Sequence, residues 1–191
     1  MIEIDFKKIE LEDKDLITHY FMHHTSRSCE RTFVNVYLWA RFYHVKFAEV
    51  EHTLVFRTED EEGFSFAYPA GEPENVKKAL DVLMVYSKER GVPFLMYTVT
   101  PDNFEYLEKW YPGRFEIEYV EGDADYVYES EKLATLSGKK LHSKRNHVNK
   151  FKIVYADRWS YEPISEDNLE ECVQTGLKWR NENGCEEDEE K

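Results

Sequence analysis

Residues 45–69 hold three runs, VKFAEV, TLVFRT and FSFAYP, in which apolar and polar side chains alternate across the short connectors EHT and EDEEG. A period of two puts one set of side chains on each face of a strand, and connectors this short leave room only for hairpins. An antiparallel meander is therefore the fixed centre of the chain. The flanking segments must cover its two faces.

Before the meander, the pattern predicts a short strand over residues 2–6 and an amphipathic helix over residues 12–23 with acids in its first turn. A second helix is predicted over residues 29–42, where Phe33, Val36, Tyr37 and Ala40 recur at helical spacing, with a strand as the alternative because aromatic and β-branched residues are dense there. After the meander, GEPENVKKALDVLMVYSKERGVP reads as a helix with Pro73 in its first turn and Gly91 at its end. PFLMYTV reads as a central buried strand. TPDNFEYLEKWYPG reads as a helix capped by Thr100, and FEIEYV and ADYVYE as strands flanking an EGD turn. The expected order is β, α, α, β, β, β, α, β, α, β, β.

A chain of 191 residues with 41% apolar side chains can bury a real core. No stretch reaches 18 consecutive apolar residues and the start MIEIDFKKIELEDKD has no apolar segment, so a cytoplasmic protein without an integral membrane segment is expected. Cys29, Cys172 and Cys185 are odd in number and widely spaced, which suits reduced thiols rather than a disulfide framework or zinc site. His19 and His23 stand at i, i+4 but lack the glutamate of an H-E-x-x-H motif, and no metal is expected.

The net charge is −14, yet SGKKLHSKRNHVNKFK, residues 137–152, carries six Lys and Arg and no acid. The remaining chain is so acidic that general DNA binding is not expected. On a helical wheel Leu141, Val148 and Lys152 share an arc, Phe151 flanks it, and Arg145 falls inside it. His142, Asn146 and Asn149 form a polar stripe alongside, while Lys139, Ser143 and Lys150 face outward. Arg145 on the apolar side needs a partner, for which Asp123 and Asp125 are candidates. The island can be an electrostatic funnel, in which Lys140, Lys144 and Arg145 meet the phosphates of a tRNA acceptor end or an anionic small molecule and Asn146 orients it. It can also be a structural brace, the reading a charge run favours by itself, and both roles can coexist on one helix. The acidic end CEEDEEK reads as a solvated terminus, with pairing to the island as the alternative.

The order of elements resembles the α+β fold of the GNAT acyltransferases over residues 1–129: a mixed, mostly antiparallel sheet flanked by helices. DADYVYESEKLATLSGKKLHSKRNHVNKF, residues 123–151, and TFVNVYLWARFY, residues 32–43, resemble the DUF2156 family, named for the C-terminal domain of phosphatidylglycerol lysyltransferase. The resemblance implies two GNAT-like lobes joined by a basic helix. It divides the chain into a lobe (1–129), a basic connecting helix (130–156) and the start of a truncated second lobe or an acidic tail (157–191).

It also implies aminoacyl or acyl transfer to an amine or hydroxyl, with aminoacyl-tRNA or acyl-CoA as co-substrate of the complete protein and the cleft completed by the second lobe. Tyr68 and Tyr97, expected to flank the splay of the sheet, are the catalytic candidates. Lys140, His142, Lys144, Arg145, Asn146 and Asn149 are the substrate-binding candidates. The segment AYPAGEPENV, where such folds cradle a pyrophosphate, has one glycine, two prolines and two glutamates, so no cofactor is expected in this lobe. The alternative is a catalytically silent binding or assembly module.

Overall fold

The computed structural model describes residues 1–22, 28–61, 63–124 and 126–183, with only the backbone of Asp123. The chain divides into two compact units, Met1–Asp125 and Tyr126–Lys191.

In the first unit, among the described residues, five strands form one sheet in the order β1 (Lys7–Lys8), β2 (Lys46–Val50), β3 (Thr53–Asp60), β4 (Gly63–Ala67) and β5 (Met96–Tyr97). All neighbours are antiparallel except β4 and β5, which are parallel. The β2–β3 register pairs Phe47 with Phe56 and Ala48 with Val55. A two-residue turn joins these strands, with Glu51 and His52 at φ 50° and 58°, the left-handed geometry that matches strand twist.

The alternation seen in the sequence sorts the two faces. Phe47, Leu54, Phe56 and Ala67 pack with Ile17 and Phe21 of α1 (Lys14–Met22) and Phe33 and Ala40 of α2 (Phe33–Ala40). On the other face Ala48, Val50, Val55 and Phe66 pack with Ala79, Leu83 and Tyr86 of α3 (Pro73–Glu89). A third cluster, Tyr68, Val76, Leu80, Leu107 and Tyr111, joins α3 to α4 (Pro101–Trp110). Burying each large apolar side chain stabilises by about 1.5–3 kcal/mol, so these clusters hold the lobe together. Pro73 begins α3, and Thr100 caps α4 by accepting the Asn103 N–H at 3.3 Å.

Four sequence expectations are corrected. Residues 2–6 form no strand: side chains of α3 and its C-cap take the backbone groups of Ile2, whose N–H donates to Glu89 at 2.5 Å and whose carbonyl accepts from Arg90 at 3.0 Å, and the Phe6 N–H turns back to the Ile4 carbonyl. Ile2, Ile4 and Phe6 still pack against the second face. PFLMYTV is not a central strand but contributes only the two-residue edge strand β5. Leu95 is exposed while Phe94 and Met96 turn inward, and Thr98 at φ 54° breaks the ladder.

FEIEYV and ADYVYE form no strand among the described residues, and EGD is a 3-10 turn. With β5 ending at Tyr97 they have no ladder beside them, and Tyr119 and Tyr126 are exposed. The second predicted helix is split, with a 3-10 turn at Cys29–Arg31 and α2 starting only after Thr32 caps it. His23 and His24 lie outside the described residues.

The second unit holds α5 (Ser130–Thr135), α6 (His142–Tyr155) and α7 (Leu169–Glu182). None of its described residues is buried. Phe151 makes its ring contacts locally, with Tyr155 at 4.8 Å and Trp159 at 5.6 Å.

Candidate functional site

Beyond β4 the ladder with β3 slips by one residue. Phe66 pairs with Arg57, but Leu54 bonds Ala70 rather than Pro69, which leaves a bulge around Tyr68 and Pro69. Proline at the bulge has no N–H to lose. The Tyr68 N–H donates to the Tyr97 carbonyl at 3.1 Å, continuing the parallel pairing. Beside this bulge a cleft of about 580 Å³ opens, lined by Arg31, by Tyr68, by Thr98, and by the first turns of α3 and α4.

The two candidate tyrosines do not share this cleft. Ala67 pairs with Tyr97, and both belong to the face covered by α1 and α2, whereas Tyr68 packs with α3 and α4 on the opposite face. The Tyr97 hydroxyl pairs with the Thr58 hydroxyl at 2.9 Å. Burial pushes the Tyr68 phenol up to about 12 and raises that of Tyr97, against the Thr58 hydrogen bond. Both phenols are protonated at neutral pH, so they can donate or relay hydrogen bonds rather than act as standing bases.

Sequence reasoning passed over Arg31. Ser28 caps its 3-10 turn by accepting the Glu30 N–H at 3.2 Å, and the turn swings the guanidinium over the sheet. There it donates to the Tyr68 carbonyl at 2.6 Å and lies 5.7 Å from the Phe21 ring centroid. Burial lowers its pKa, partly opposed by the Tyr97 and Tyr68 phenols and by Glu30. Among the described residues no carboxylate forms an ion pair with it. Nothing in SRSCERTF marks this arginine, since its setting depends on a residue 37 positions away.

In the second unit, Arg145 and Leu141 of the wheel arc are half-buried, whereas Val148, Phe151 and Lys152, expected on or beside the same arc, are exposed. Among the described residues Arg145 donates to backbone: to the Leu136 carbonyl and, at 3.0 Å, to that of Gly138. Leu136 at φ 49° and Gly138 at φ 91° turn the chain between α5 and α6, and Arg145 ties this turn down. Asp125 lies outside the described residues, as does the side chain of Asp123. Asn146 bonds His142 at 3.4 Å along the stripe. Lys140, Lys144 and Asn149 are exposed, and among the described residues neither lysine forms an ion pair within its unit. The CEEDEEK end lies outside the described residues.

A meander closed by one parallel strand, helices on both faces and a bulge beside a cleft define the first unit as a GNAT-like α+β lobe. Residues 22–191 match the family described as "Phosphatidylglycerol lysyltransferase, C-terminal", and the chain belongs to that family. It is similar to a conserved protein of unknown function from Bacteroides thetaiotaomicron, known as a crystal structure, with 34% identity and a TM-score of 0.82. That match covers 98% of this chain and 63% of the other. An uncharacterised protein of Mycoplasmoides gallisepticum is 32% identical over 80 residues, covering 41% of this chain and 25% of its own length. The chain thus spans less than two thirds of the relatives it matches. Among the described residues no helix is long and apolar enough to cross a membrane.

Proposed function

We propose that this chain is the first lobe and basic connecting helix of a cytoplasmic aminoacyl- or acyltransferase that modifies an amine or hydroxyl, with its cleft completed by a second GNAT-like lobe. Family membership over residues 22–191 is the observation that carries this reading. The absence of any buried residue among those described in the second unit supports it, since helices with exposed Val148, Phe151, Val173 and Leu177 are fit to be covered by further protein.

In this reading Lys140 and Lys144 attract the phosphates of an aminoacyl-tRNA end. Asn149 and the His142–Asn146 stripe orient that end, and Arg145 holds the turn that presents them. Tyr68 is the phenol placed to donate from the cleft. Acyl-CoA is the less favoured donor in this lobe. The Ala70, Asn75 and Val76 amides are already engaged with backbone carbonyls, Pro69 and Pro73 have none, and Glu72 adds negative charge at the start of α3.

The test is transfer of a radiolabelled aminoacyl group from charged tRNA by the protein translated from the complete reading frame. Lys140→Glu with Lys144→Glu should reduce it at least tenfold by weakening tRNA binding, with the thermal transition unchanged. Transfer and RNA binding that survive the double variant would overturn the role of the helix. No transfer from any charged tRNA or acyl-CoA would favour a silent binding module, for which the depleted donor set of the loop already speaks.

A further inference from the structure

The cleft beside the β4 bulge has an unusual balance of groups. Arg31 sets one buried-side guanidinium at its inner wall and spends one donor on the Tyr68 carbonyl. Its other guanidinium nitrogens have no acceptor among the described residues. Thr98 lines the same cleft at φ 54°, a conformation that β-branched side chains rarely hold, and its hydroxyl oxygen is buried without a hydrogen-bond partner. Strain and an unmatched polar group at one wall are features that binding sites retain because a ligand satisfies them.

Around the mouth stand Glu72, Asp102 and Glu105, with Lys109 as the other cation. Three acids against two cations disfavour a multiply charged phosphate. They suit a ligand with one negative group for Arg31 and one positive group for the acids.

We propose that this cleft is a binding site for a free α-amino acid, its carboxylate paired with Arg31 beside the Thr98 hydroxyl and its ammonium facing Glu72, Asp102 and Glu105. A planar guanidinium takes a carboxylate through two parallel hydrogen bonds, and the acidic mouth supplies the opposite charge. The volume lies within the usual range of small-molecule sites. An aminoacyl ester has no free carboxylate, so this site reads a different chemical group from the donor proposed above. It stands whether or not the lobe takes part in transfer.

Isothermal titration of the protein with alanine, serine, lysine and glutamate, each beside its α-carboxamide, tests this directly. At least one amino acid should bind, and its carboxamide should bind at least tenfold more weakly. Binding by none of the four, equal binding of acid and carboxamide, or tighter binding of inorganic phosphate would overturn the site. Arg31→Gln should abolish binding. Because Arg31 also supports the bulge, Thr98→Val supplies the second test: it removes the hydroxyl while keeping the branched shape. It should weaken the amino acid at least fivefold while the melting temperature stays level or rises. Unchanged affinity in Thr98→Val and Glu105→Gln, with the fold intact, would assign the ligand to another place.

Discussion

The first unit and the second are both built from amphipathic elements, yet they bury apolar groups to opposite extents. Phe66, Leu80 and Leu83 are fully enclosed between sheet and helices, whereas Ile153 of α6 is 78% exposed and Trp179 of α7 is 63% exposed. The difference does not lie in periodicity, since Leu169, Val173 and Leu177 repeat at helical spacing as regularly as Val76, Leu80 and Leu83. It lies in having an opposing layer. A helix stripe contributes only when another surface removes it from water.

The sharpest way to break this comparison is to cut the same chemistry from both units. Phe66→Ala should destabilise the first unit by about 3–5 kcal/mol, because a fully buried ring leaves both a transfer loss and a cavity. Ile153→Ala should change stability by no more than about 0.5 kcal/mol. Urea denaturation followed by far-ultraviolet circular dichroism measures both. Hydrogen exchange adds resolution: amides of β2, β3 and β4 should exchange far more slowly than those of α6 and α7. Equal costs or equal protection would mean that the second unit has a covering surface of its own.

A smaller effect is expected from the carboxylate that ties down the start of the first unit. Asp13, 7% exposed, accepts from Lys7 at 2.6 Å and from the Glu10 amide at 3.0 Å. Burial pushes its carboxyl up, but these two partners together hold it below the ordinary aspartate value. A carboxyl held lower in the folded state stabilises fully above its unfolded pKa, and that contribution is lost as pH falls through the folded value. Asp13→Asn should therefore cost about 1–3 kcal/mol at neutral pH and flatten the acid side of the stability profile. A variant as acid-sensitive as the parent would assign the acid transition to other groups, such as Asp81, which accepts from Tyr111 and Lys77.

Gly71→Ala belongs to the next rank. A Cβ there would stand 2.7 Å from the Thr53 methyl and 3.2 Å from the His52 carbonyl, and Thr53 is fully buried, so the neighbour has little room to move. The expected cost is about 1–3 kcal/mol, seen as a lowered urea midpoint with an unchanged slope. Among the described residues of the second unit, a Cβ at Gly138 or Gly176 meets nothing within 4 Å, so there only the φ of 91° at Gly138 favours glycine.

Sequence pattern read well wherever structure is set by near neighbours. The meander followed from period-two runs and short turns, and α3 and α4 from Pro73, Gly91 and Thr100. It read poorly wherever distant chain decides. The length of β5 depends on Thr98 leaving the ladder, and among the described residues the apolar alternation over residues 115–129 joins no strand. Arg31 becomes a cleft residue only through Tyr68. Tyr97 and Tyr68 read as a pair flanking a splay, but register puts their rings on opposite faces. The wheel placed Arg145 on the inner arc, yet it could not show that the acceptors would be carbonyls exposed by a left-handed turn.

That turn supplies the smallest and most local effect. The exposed carbonyls at the end of α5 need donors, and Arg145 brings two of its N–H groups to Leu136 and Gly138. Arg145→Gln removes the charge and the reach of the Nη1 group that makes both bonds. Amides of residues 136–141 should then exchange about tenfold faster, while the urea midpoint of the first unit stays unchanged. Lys144, one residue earlier and exposed, should give no such acceleration when changed to Gln. If both variants loosen the turn equally, the positive charge of the island rather than the Arg145 hydrogen bonds holds it. If neither does, the left-handed geometry at Leu136 and Gly138 is sufficient to hold the turn, and the part given to Arg145 in presenting the stripe falls.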